Sequence, residues 1–347
     1  MNSKQRILAA LQRETPDRVP TFEWFIDASV GQALTGSDDP VDTVADLDID
    51  GINIRPDYTK DWIDQDTYRD EWGSVRKPAG DCIAPTLDNP LSSISDYKDY
   101  SFPEIEAPHR FATLQRALER FGDERAVILN LRDGFSDMRD ILGYENALMG
   151  TITDPDDFKA LLNRCVDYNL ALAEYAVKHY GVEMVATTDD IANAQGLLIR
   201  PETYFDLIGP AFIRVIRGYR DLGLLVIKHC DGDCSAVLDL WIEAGIHCLD
   251  PIDPGAGLDM ADMKSRYGDY ICLKGNIDCA GVLEHGTPDE VEEEVKTCLQ
   301  KGAANGGLIL SSSNTIHRGV PPENYRAMLQ ALHTHGRYQK NGCVSIS

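Results

Sequence analysis

The chain has 347 residues, of which 43% are hydrophobic and 26% are charged, and these proportions are typical of a soluble globular protein. Acidic residues outnumber basic ones 57 to 33, which gives a formal net charge of −24 and argues against nucleic acid or an anionic membrane surface as a partner. The first twenty residues lack the apolar core of a signal peptide, and no apolar run is long enough to span a bilayer, so we expect a cytoplasmic location. The nine cysteines follow no paired spacing, and we expect most of them to be buried, reduced thiols.

Eight short apolar runs alternate with longer segments of helical periodicity, a pattern that predicts a parallel sheet with helices between its strands. Each run begins with apolar residues and ends with polar ones. The runs are 19–25, 51–56, 126–134, 183–190, 224–232, 247–253, 270–278 and 307–314. Eight strands with polar carboxyl ends predict an α/β fold of the (β/α)8 TIM barrel type, whose site lies at the strand ends. We expect residues 1–347 to form one domain.

The segment from Tyr58 to about Phe102 interrupts this alternation. It is rich in turn-forming residues and predicts a hairpin and loop, at about residues 58–102, inserted after the second strand. An insertion on the active-site face of a barrel often acts as a lid or as a wall of the substrate site.

The stretch KHCDGDC, Lys228 to Cys234, follows the fifth apolar run and carries a candidate metal site. Strand alternation places His229 and Asp231 on one face, while Lys228 and Cys230 point to the other. A histidine with a carboxylate two residues further on is a candidate for half of a zinc or other divalent site, completed by ligands from other strands. The alternative is that His229 contacts the substrate and the aspartates cap the next helix.

Two adjacent carboxylates, Asp189 and Asp190, end the fourth run. Placing them in a barrel mouth is costly unless they bind a cation, orient a donor or share a proton. One of the two faces inward whichever register the strand adopts, so both are candidate site residues. The alternative is that they cap the turn that follows.

The remaining strand ends supply polar groups that suit an organic ligand with oxygen substituents. A phosphate is less well matched, because the sequence has no glycine-rich phosphate cradle. The candidate substrate-binding residues are Glu23, Trp24, Asn53, Arg55, Asn130, Arg132, Asp189, Asn276 and Asn314. The sequence also lacks the GxSxG motif and a local Cys–His nucleophile signature.

Several segments together resemble the uroporphyrinogen decarboxylase superfamily: TPDRVP after the opening helix, DD…GLLIRPETY, H-x-D-G at His229, KGNID, GTPDEVEEEV and GGLILSSSN…VPPENYRAM. The resemblance runs nearly end to end and implies a (β/α)8 barrel. Porphyrin decarboxylases of this superfamily carry an arginine-rich RxAGRY segment after the first strand, where this chain has TFEWFIDASVGQAL. The chain looks closer to the branch of corrinoid-linked methyltransferases.

This resemblance also implies a changed metal site. Thiol methyltransferases of the branch hold zinc with H-x-C after the fifth strand and a further cysteine after the eighth. The corresponding residues here are Asp231 and Asn314. An oxygen-rich site of His229 and Asp231, with Glu23 or Asp190, is therefore expected, and such a site is harder and more Lewis-acidic. The resemblance implies a corrinoid carried by a partner protein and zinc as a candidate metal.

The leading hypothesis is a methyltransferase that moves a methyl group between a small oxygen-containing substrate, such as a methyl ether, and a corrinoid protein. His229, Asp231 and Asp190 are its candidate catalytic residues. One alternative is a metal-free lyase or decarboxylase that binds a small carboxylate through Arg55 and Arg132. A second alternative is a non-catalytic binding protein. A homodimer is one option for the oligomeric state.

Overall fold

A curved parallel sheet forms the centre of the fold. The structure, a computed structural model, describes residues 1–78 and 84–345. The strands of the described residues are β1 (Gly51–Ile54), β2 (Lys60–Trp62), β3 (Tyr68–Asp70), β4 (Val75–Arg76), β5 (Thr86–Asp88), β6 (Ala126–Arg132), β7 (Met184–Thr188), β8 (Ala192–Asn193), β9 (Gly196–Leu197), β10 (Leu225–His229), β11 (Cys248–Asp250), β12 (Cys272–Ile277) and β13 (Leu308–Ser312). The parallel sheet has the order β1-β6-β7-β10-β11-β12-β13, so its neighbours follow chain order as in a barrel.

The first predicted strand, residues 19–25, is not a regular strand, yet it closes the barrel between β13 and β1. Thr21 forms a parallel bridge with Leu310, and the Leu310 N–H donates to the Pro20 carbonyl at 3.0 Å. On the other side, the Asp50 N–H donates to the Thr21 carbonyl at 2.9 Å. Pro20 has no N–H to donate, which shortens the ladder at this point. Seven of the eight predicted runs thus form the parallel sheet, and the first run bonds to both of its edges, in agreement with the predicted TIM-barrel fold.

Helices connect the barrel strands. In the described residues they are α1 (Ser3–Leu11), α2 (Ala28–Thr35), α3 (Pro40–Asp46), α4 (Ala112–Phe121), α5 (Phe135–Leu142), α6 (Tyr144–Thr153), α7 (Pro155–Tyr180), α8 (Pro201–Thr203), α9 (Gly209–Asp221), α10 (Leu238–Ala244), α11 (Met260–Tyr267), α12 (Val282–His285), α13 (Pro288–Gly302) and α14 (Pro322–His335). The start of α13 shows how local sequence sets a boundary. The Glu290 N–H donates to the Thr287 hydroxyl at 3.3 Å, and the Thr287 N–H donates to the Glu290 carboxylate at 2.8 Å. This capping box satisfies N–H groups that the helix itself leaves free.

The predicted insertion lies between β1 and β6. Its strands form an antiparallel sheet of order β2-β3-β4-β5, followed by a short 3-10 helix, Ile94–Asp99. Ser74 fastens the sheet to α5, because its hydroxyl donates to the Asp140 carbonyl at 2.8 Å. Arg76 adds an ion pair with the Asp140 carboxylate at 3.2 Å. These contacts hold the insertion against α5, which follows the carboxyl end of β6.

A single cluster of buried apolar side chains fills the barrel and the layer between its strands and helices. Eight of the nine cysteines lie in the described residues, where all eight are free and six are buried, as the scattered spacing predicted. The ninth, Cys82, lies outside the described residues. No helix in residues 1–78 or 84–345 is long and apolar enough to cross a membrane.

Candidate active site

A cavity of about 330 Å³ opens at the carboxyl ends of the barrel strands. Its lining comes from residues 24–27, from the carboxyl ends of β6, β7 and β10 and the residues just after β1, β7 and β10, from α5, and from the loop after β13. The lining residues are Trp24, Phe25, Asp27, Arg55, Arg132, Ser136, Arg139, Thr188, Asp190, His229, Asp231, Asn314, Thr315, His317 and Arg318. Seven residues predicted from the sequence meet here: Trp24, Arg55, Arg132, Asp190, His229, Asp231 and Asn314.

His229 is the last residue of β10 and is almost completely buried. Its Nδ1 lies 3.0 Å from Oδ2 of Asp250, and its Nε2 lies 3.4 Å from Oδ1 of Asp231. The indole of Trp24 stacks on the imidazole, with ring centroids 3.9 Å apart and planes 12° from parallel. The ring is therefore fixed in plane and rotation, with one nitrogen directed into the barrel and the other toward the cavity.

The electrostatic surroundings of His229 favour its charged form. Burial alone would lower the pKa of this imidazole, but the carboxylates of Asp250 and Asp231 outweigh burial and raise the pKa to about 9. His229 is therefore cationic at neutral pH when no metal is bound. A cationic imidazole beside a cavity can donate a proton to a departing group.

Asp190, His229 and Asp231 form a cluster that could hold a cation. Each offers one ligand atom, and these atoms all lie within 4.8 Å of one another. Asn314 donates from its amide to Oδ2 of Asp231 at 2.7 Å, which leaves the other oxygen directed toward His229. One imidazole nitrogen and two carboxylates are a donor set that suits zinc or a harder divalent ion. The residues present thus fit a metal.

The turn after β10 fixes Asp231 through its neighbour Gly232. Gly232 has φ of +85°, a conformation that other residues rarely adopt. A Cβ atom at this position would lie only 2.6 Å from the backbone of Asn193, so the turn packs directly against the β8–β9 hairpin. The Gly232 N–H also donates to Asp253 at 3.2 Å. In the sequence H-x-D-G, the glycine therefore allows the tight turn that places the Asp231 carboxylate at the cavity.

Arginines surround the cavity despite the acidic composition of the chain. Four of them line it: Arg55, Arg132, Arg139 and Arg318. Arg132 pairs with Asp140 at 2.7 Å, and Arg318 lies 3.6 Å from Asp27. Arg55 stands over the ring of Phe25 at 4.3 Å. These cations make the cavity suitable for a ligand that carries negative charge or oxygen acceptors.

A second cavity, of about 370 Å³, lies between the insertion and the barrel. Arg55 and Arg132 line both cavities and stand at their boundary. Tyr58 and Trp72 contribute the wall on the insertion side, and Asn130 contributes from β6. The amide nitrogen of Asn130 is buried and has no hydrogen-bond partner among the residues that the structure describes. Asn130 is thus near the site, but in a different cavity from His229.

The other predicted substrate-binding residues have different surroundings. Asp189 accepts from the N–H groups of Phe135 and Ser136, each at 2.7 Å, and so caps the start of α5. The Asn53 amide donates to the Trp24 carbonyl at 3.1 Å, and Asn276 lies in β12 beside Ser311. Their roles in substrate binding stay predictions. The Asp189 carboxylate caps the start of α5 and not the turn after residue 190 that the capping alternative specified.

Glu23 lies in the barrel interior rather than in the carboxylate cluster around His229. Its carboxylate accepts from the Ser312 hydroxyl at 2.6 Å and from the Ser312 N–H at 3.2 Å. Burial raises the pKa of Glu23 to about 7, although Lys274 and the bonds from Ser312 oppose the rise. Of the two carboxylates proposed to complete the metal site, Asp190 is the one that lies with His229 and Asp231.

Sequence reasoning gave no role to Asp250 and Lys274, although both stand at the predicted strand ends. The Lys274 ammonium donates to Oδ1 of Asp250 at 2.7 Å, and Asp250 contacts His229. Asp250 is aligned with His229 across the β10–β11 pair. The sheet register would have shown that Asp250 lies opposite His229, but the register follows from the pairing of β10 with β11 and not from either strand alone.

Comparison with known proteins supports this description. The family described as uroporphyrinogen decarboxylase (URO-D) matches residues 74–335. A methylated-thiol–coenzyme M methyltransferase of Methanosarcina mazei is 24% identical over 75% of this chain and 66% of its own length. A methylcobamide:CoM methyltransferase of the same species is 27% identical over 69% of this chain and 67% of its own length.

A uroporphyrinogen decarboxylase of Pseudoalteromonas translucida is 34% identical over 72% of this chain and 71% of its own length. Among solved structures, a methyltransferase from Methanosarcina mazei superposes with a TM-score of 0.78 at 16% identity, covering 96% of this chain and 99% of that one. At that identity the superposition shows the shared barrel fold. The family match covers more than half of the residues, and the chain belongs to the uroporphyrinogen decarboxylase (URO-D) family.

Proposed function

We propose that the protein is a methyltransferase that moves a methyl group between a small oxygen-containing substrate, such as a methyl ether, and a corrinoid carried by a separate protein. The observation that carries this proposal is the cluster of Asp190, His229 and Asp231 in a cavity rimmed by arginines. Methyltransferases among the relatives, one named for methylcobamide, support methyl transfer as the reaction type. A cytoplasmic location rests on the sequence alone.

The chemistry requires help at the departing oxygen. When the bond between the methyl carbon and oxygen breaks, the carbon goes to the cobalt of the reduced corrinoid and the electron pair stays on oxygen. An alkoxide or phenoxide is a poor leaving group, so the oxygen needs a proton or a cation. His229, held cationic by Asp250 and Asp231, is placed to donate that proton from Nε2.

The same three residues would hold zinc, the metal that the resemblance implies. When bound, such an ion would supply Lewis-acid polarisation of the substrate oxygen. Asp231 and Asn314 stand where a thiol-activating relative is expected to have cysteines, and Asn314 holds Asp231 at 2.7 Å. A metal ion held by oxygen donors is harder and would bind a further oxygen ligand in preference to a thiolate. This favours an ether or alcohol over a thiol as the substrate.

The test is to incubate the purified protein with cob(I)alamin and a panel of methyl ethers, and to follow the cobalt absorption spectrum. We expect methylcobalamin to form with at least one donor, and His229→Ala to abolish its formation. His285→Ala is a matched control, because that histidine is exposed on α12 and lies outside the cavity. Failure of every donor to give methylcobalamin would contradict the proposal.

A second candidate is a metal-free lyase or decarboxylase acting on a small carboxylate. The observation that favours it is the placement of Arg55 and Arg132 at the boundary of the two cavities, next to a histidine that carries a proton. Metal analysis separates the candidates. Loss of carbon dioxide from a carboxylate by protein without bound metal, unchanged by a chelator, would favour the lyase.

A further inference from the structure

A buried chain of charged groups stands behind His229. Lys274 contacts Asp250 at 2.7 Å, and the other oxygen of Asp250 contacts Nδ1 of His229 at 3.0 Å. The side chains of all three residues are at most 2% exposed. Burying charged groups is costly even when they are paired, so this arrangement calls for a reason beyond packing.

The barrel backbone sets the distances in this chain. His229 and Asp250 are aligned across neighbouring strands, and the Cys230 N–H donates to the Asp250 carbonyl at 2.8 Å. On the other side, the Ile252 N–H donates to the Lys274 carbonyl at 2.8 Å. Both hydrogen bonds continue the strand pairing just past the ends of β10 and β11, so the strand alignment brings the three side chains together.

We propose that Asp250 is a positioning residue that accepts the Nδ1 proton of His229 and so presents Nε2 to the cavity, with Lys274 fixing the carboxylate of Asp250. This inference rests on the proposed use of His229 at the reacting oxygen. A histidine that binds a metal or transfers a proton through one nitrogen commonly donates from the other nitrogen to a carboxylate, which fixes its tautomer and its orientation. The stack of Trp24 fixes the plane of the imidazole but still allows the ring to turn within that plane. The contact with Asp250 prevents this turning.

The barrel contains a second pair that serves as a matched control. Lys228 and Asp133 form a buried ion pair at 2.5 Å, and Asp133 also accepts a hydrogen bond from Thr187. This pair resembles Lys274 and Asp250 in charge and burial. Lys228 also donates to the backbone carbonyl of His229 at 2.8 Å, whereas the imidazole of His229 has its contacts with Asp250, Asp231 and Trp24. Removing its carboxylate tests the general cost of breaking such a pair.

The first experiment is nitrogen NMR of the full chain labelled with ¹⁵N-histidine, over a pH series that extends to pH 10. The His229 signals are assigned from their loss in His229→Gln. We expect Nδ1 of the wild type to keep its proton when the ring becomes neutral. In Asp250→Asn the amide can donate instead, so we expect the proton to move to Nε2, while Asp133→Asn leaves the His229 signals as in the wild type.

A second experiment measures Co²⁺ binding from its visible absorption. Asp250→Asn should weaken Co²⁺ binding about 10- to 100-fold, as loss of a carboxylate behind a ligating histidine usually does. Asp250→Glu, which keeps a carboxylate, should retain more of the affinity than the amide variant. Asp133→Asn should bind Co²⁺ as the wild type does.

If Asp250→Asn does not fold, the wild type alone still provides the test. A neutral His229 with its proton on Nε2, or identical ring signals in the wild type and Asp250→Asn, would overturn it. Neither NMR result depends on methyl transfer, so failure of the methyltransferase assay and failure of this inference can be told apart.

Discussion

Glu23→Gln should remove a pH-dependent loss of stability from the barrel. Burial raises the pKa of Glu23 from 4.5 to about 7, and at about 1.4 kcal/mol per pKa unit this corresponds to about 3 kcal/mol between its protonated and ionised forms. Because the pKa is higher in the folded state, the stabilising contribution is fully present below about pH 4.5 and is lost as the pH rises through about 7. Glutamine stays neutral and can still accept from Ser312.

The assay is urea unfolding, followed by tryptophan fluorescence at pH 5.5 and at pH 8.5. We expect the free energy of unfolding of Glu23→Gln, relative to the wild type, to rise by about 2 kcal/mol between the two pH values, because part of the total effect is already lost at pH 5.5. Any constant cost of the substitution cancels in this comparison. Glu145→Gln, at an exposed position on α6, serves as the control and should show no such rise. An equal difference between Glu23→Gln and the wild type at both pH values would refute the reasoning.

Three further outcomes can be measured on purified variants. Lys274→Met should lower the free energy of unfolding, measured in urea, by about 3 to 5 kcal/mol, because it leaves the buried Asp250 without its strongest counter-charge. Adding Asp250→Asn to this variant should restore part of the lost stability. Asp189→Ala should cost about 2 to 4 kcal/mol by the same measurement, since two buried N–H groups at the start of α5 lose their acceptor. Gly232→Ala should abolish Co²⁺ binding because its Cβ would collide with the β8–β9 backbone, whereas Gly181→Ala, with open space around it, should cost about 1 kcal/mol and bind Co²⁺ normally.

The barrel was predictable because each strand carries its own signal. An apolar run that ends in polar residues is local in the chain, and seven of the eight runs became regular strands of one parallel sheet. Residues 19–25 differ because Pro20 cannot donate a ladder hydrogen bond, so closure there depends on separate backbone bonds to Leu310, Asp50 and Ile316. The apolar residues of the run predict that this segment is extended. The regularity of its pairing depends on the neighbouring strands and cannot be predicted from the run itself.

The candidate site was predictable only as far as strand alternation reaches. Alternation placed His229 and Asp231 together, and Cys230 is buried away from the cavity that they line. The same rule could not choose between Glu23 and Asp190 as the third ligand, because that choice depends on how far each strand end reaches into the mouth. Nor could it find Asp250, whose relation to His229 is one between strands.

The pairing of charges around His229 explains why one buried histidine can serve either of the two proposed chemistries. Asp250 holds Nδ1 from inside the barrel, and Asp231 faces Nε2 from the cavity side. Without a metal, the two carboxylates stabilise the imidazolium, which is the state required of a proton donor. With a metal, Asp250 would keep Nδ1 protonated while Nε2 and Asp231 turn from proton partners into ligands. Under the proposed function, the residue type at position 231 would therefore decide the chemistry: an aspartate can serve both states, whereas a cysteine would commit the site to a thiolate-bound metal.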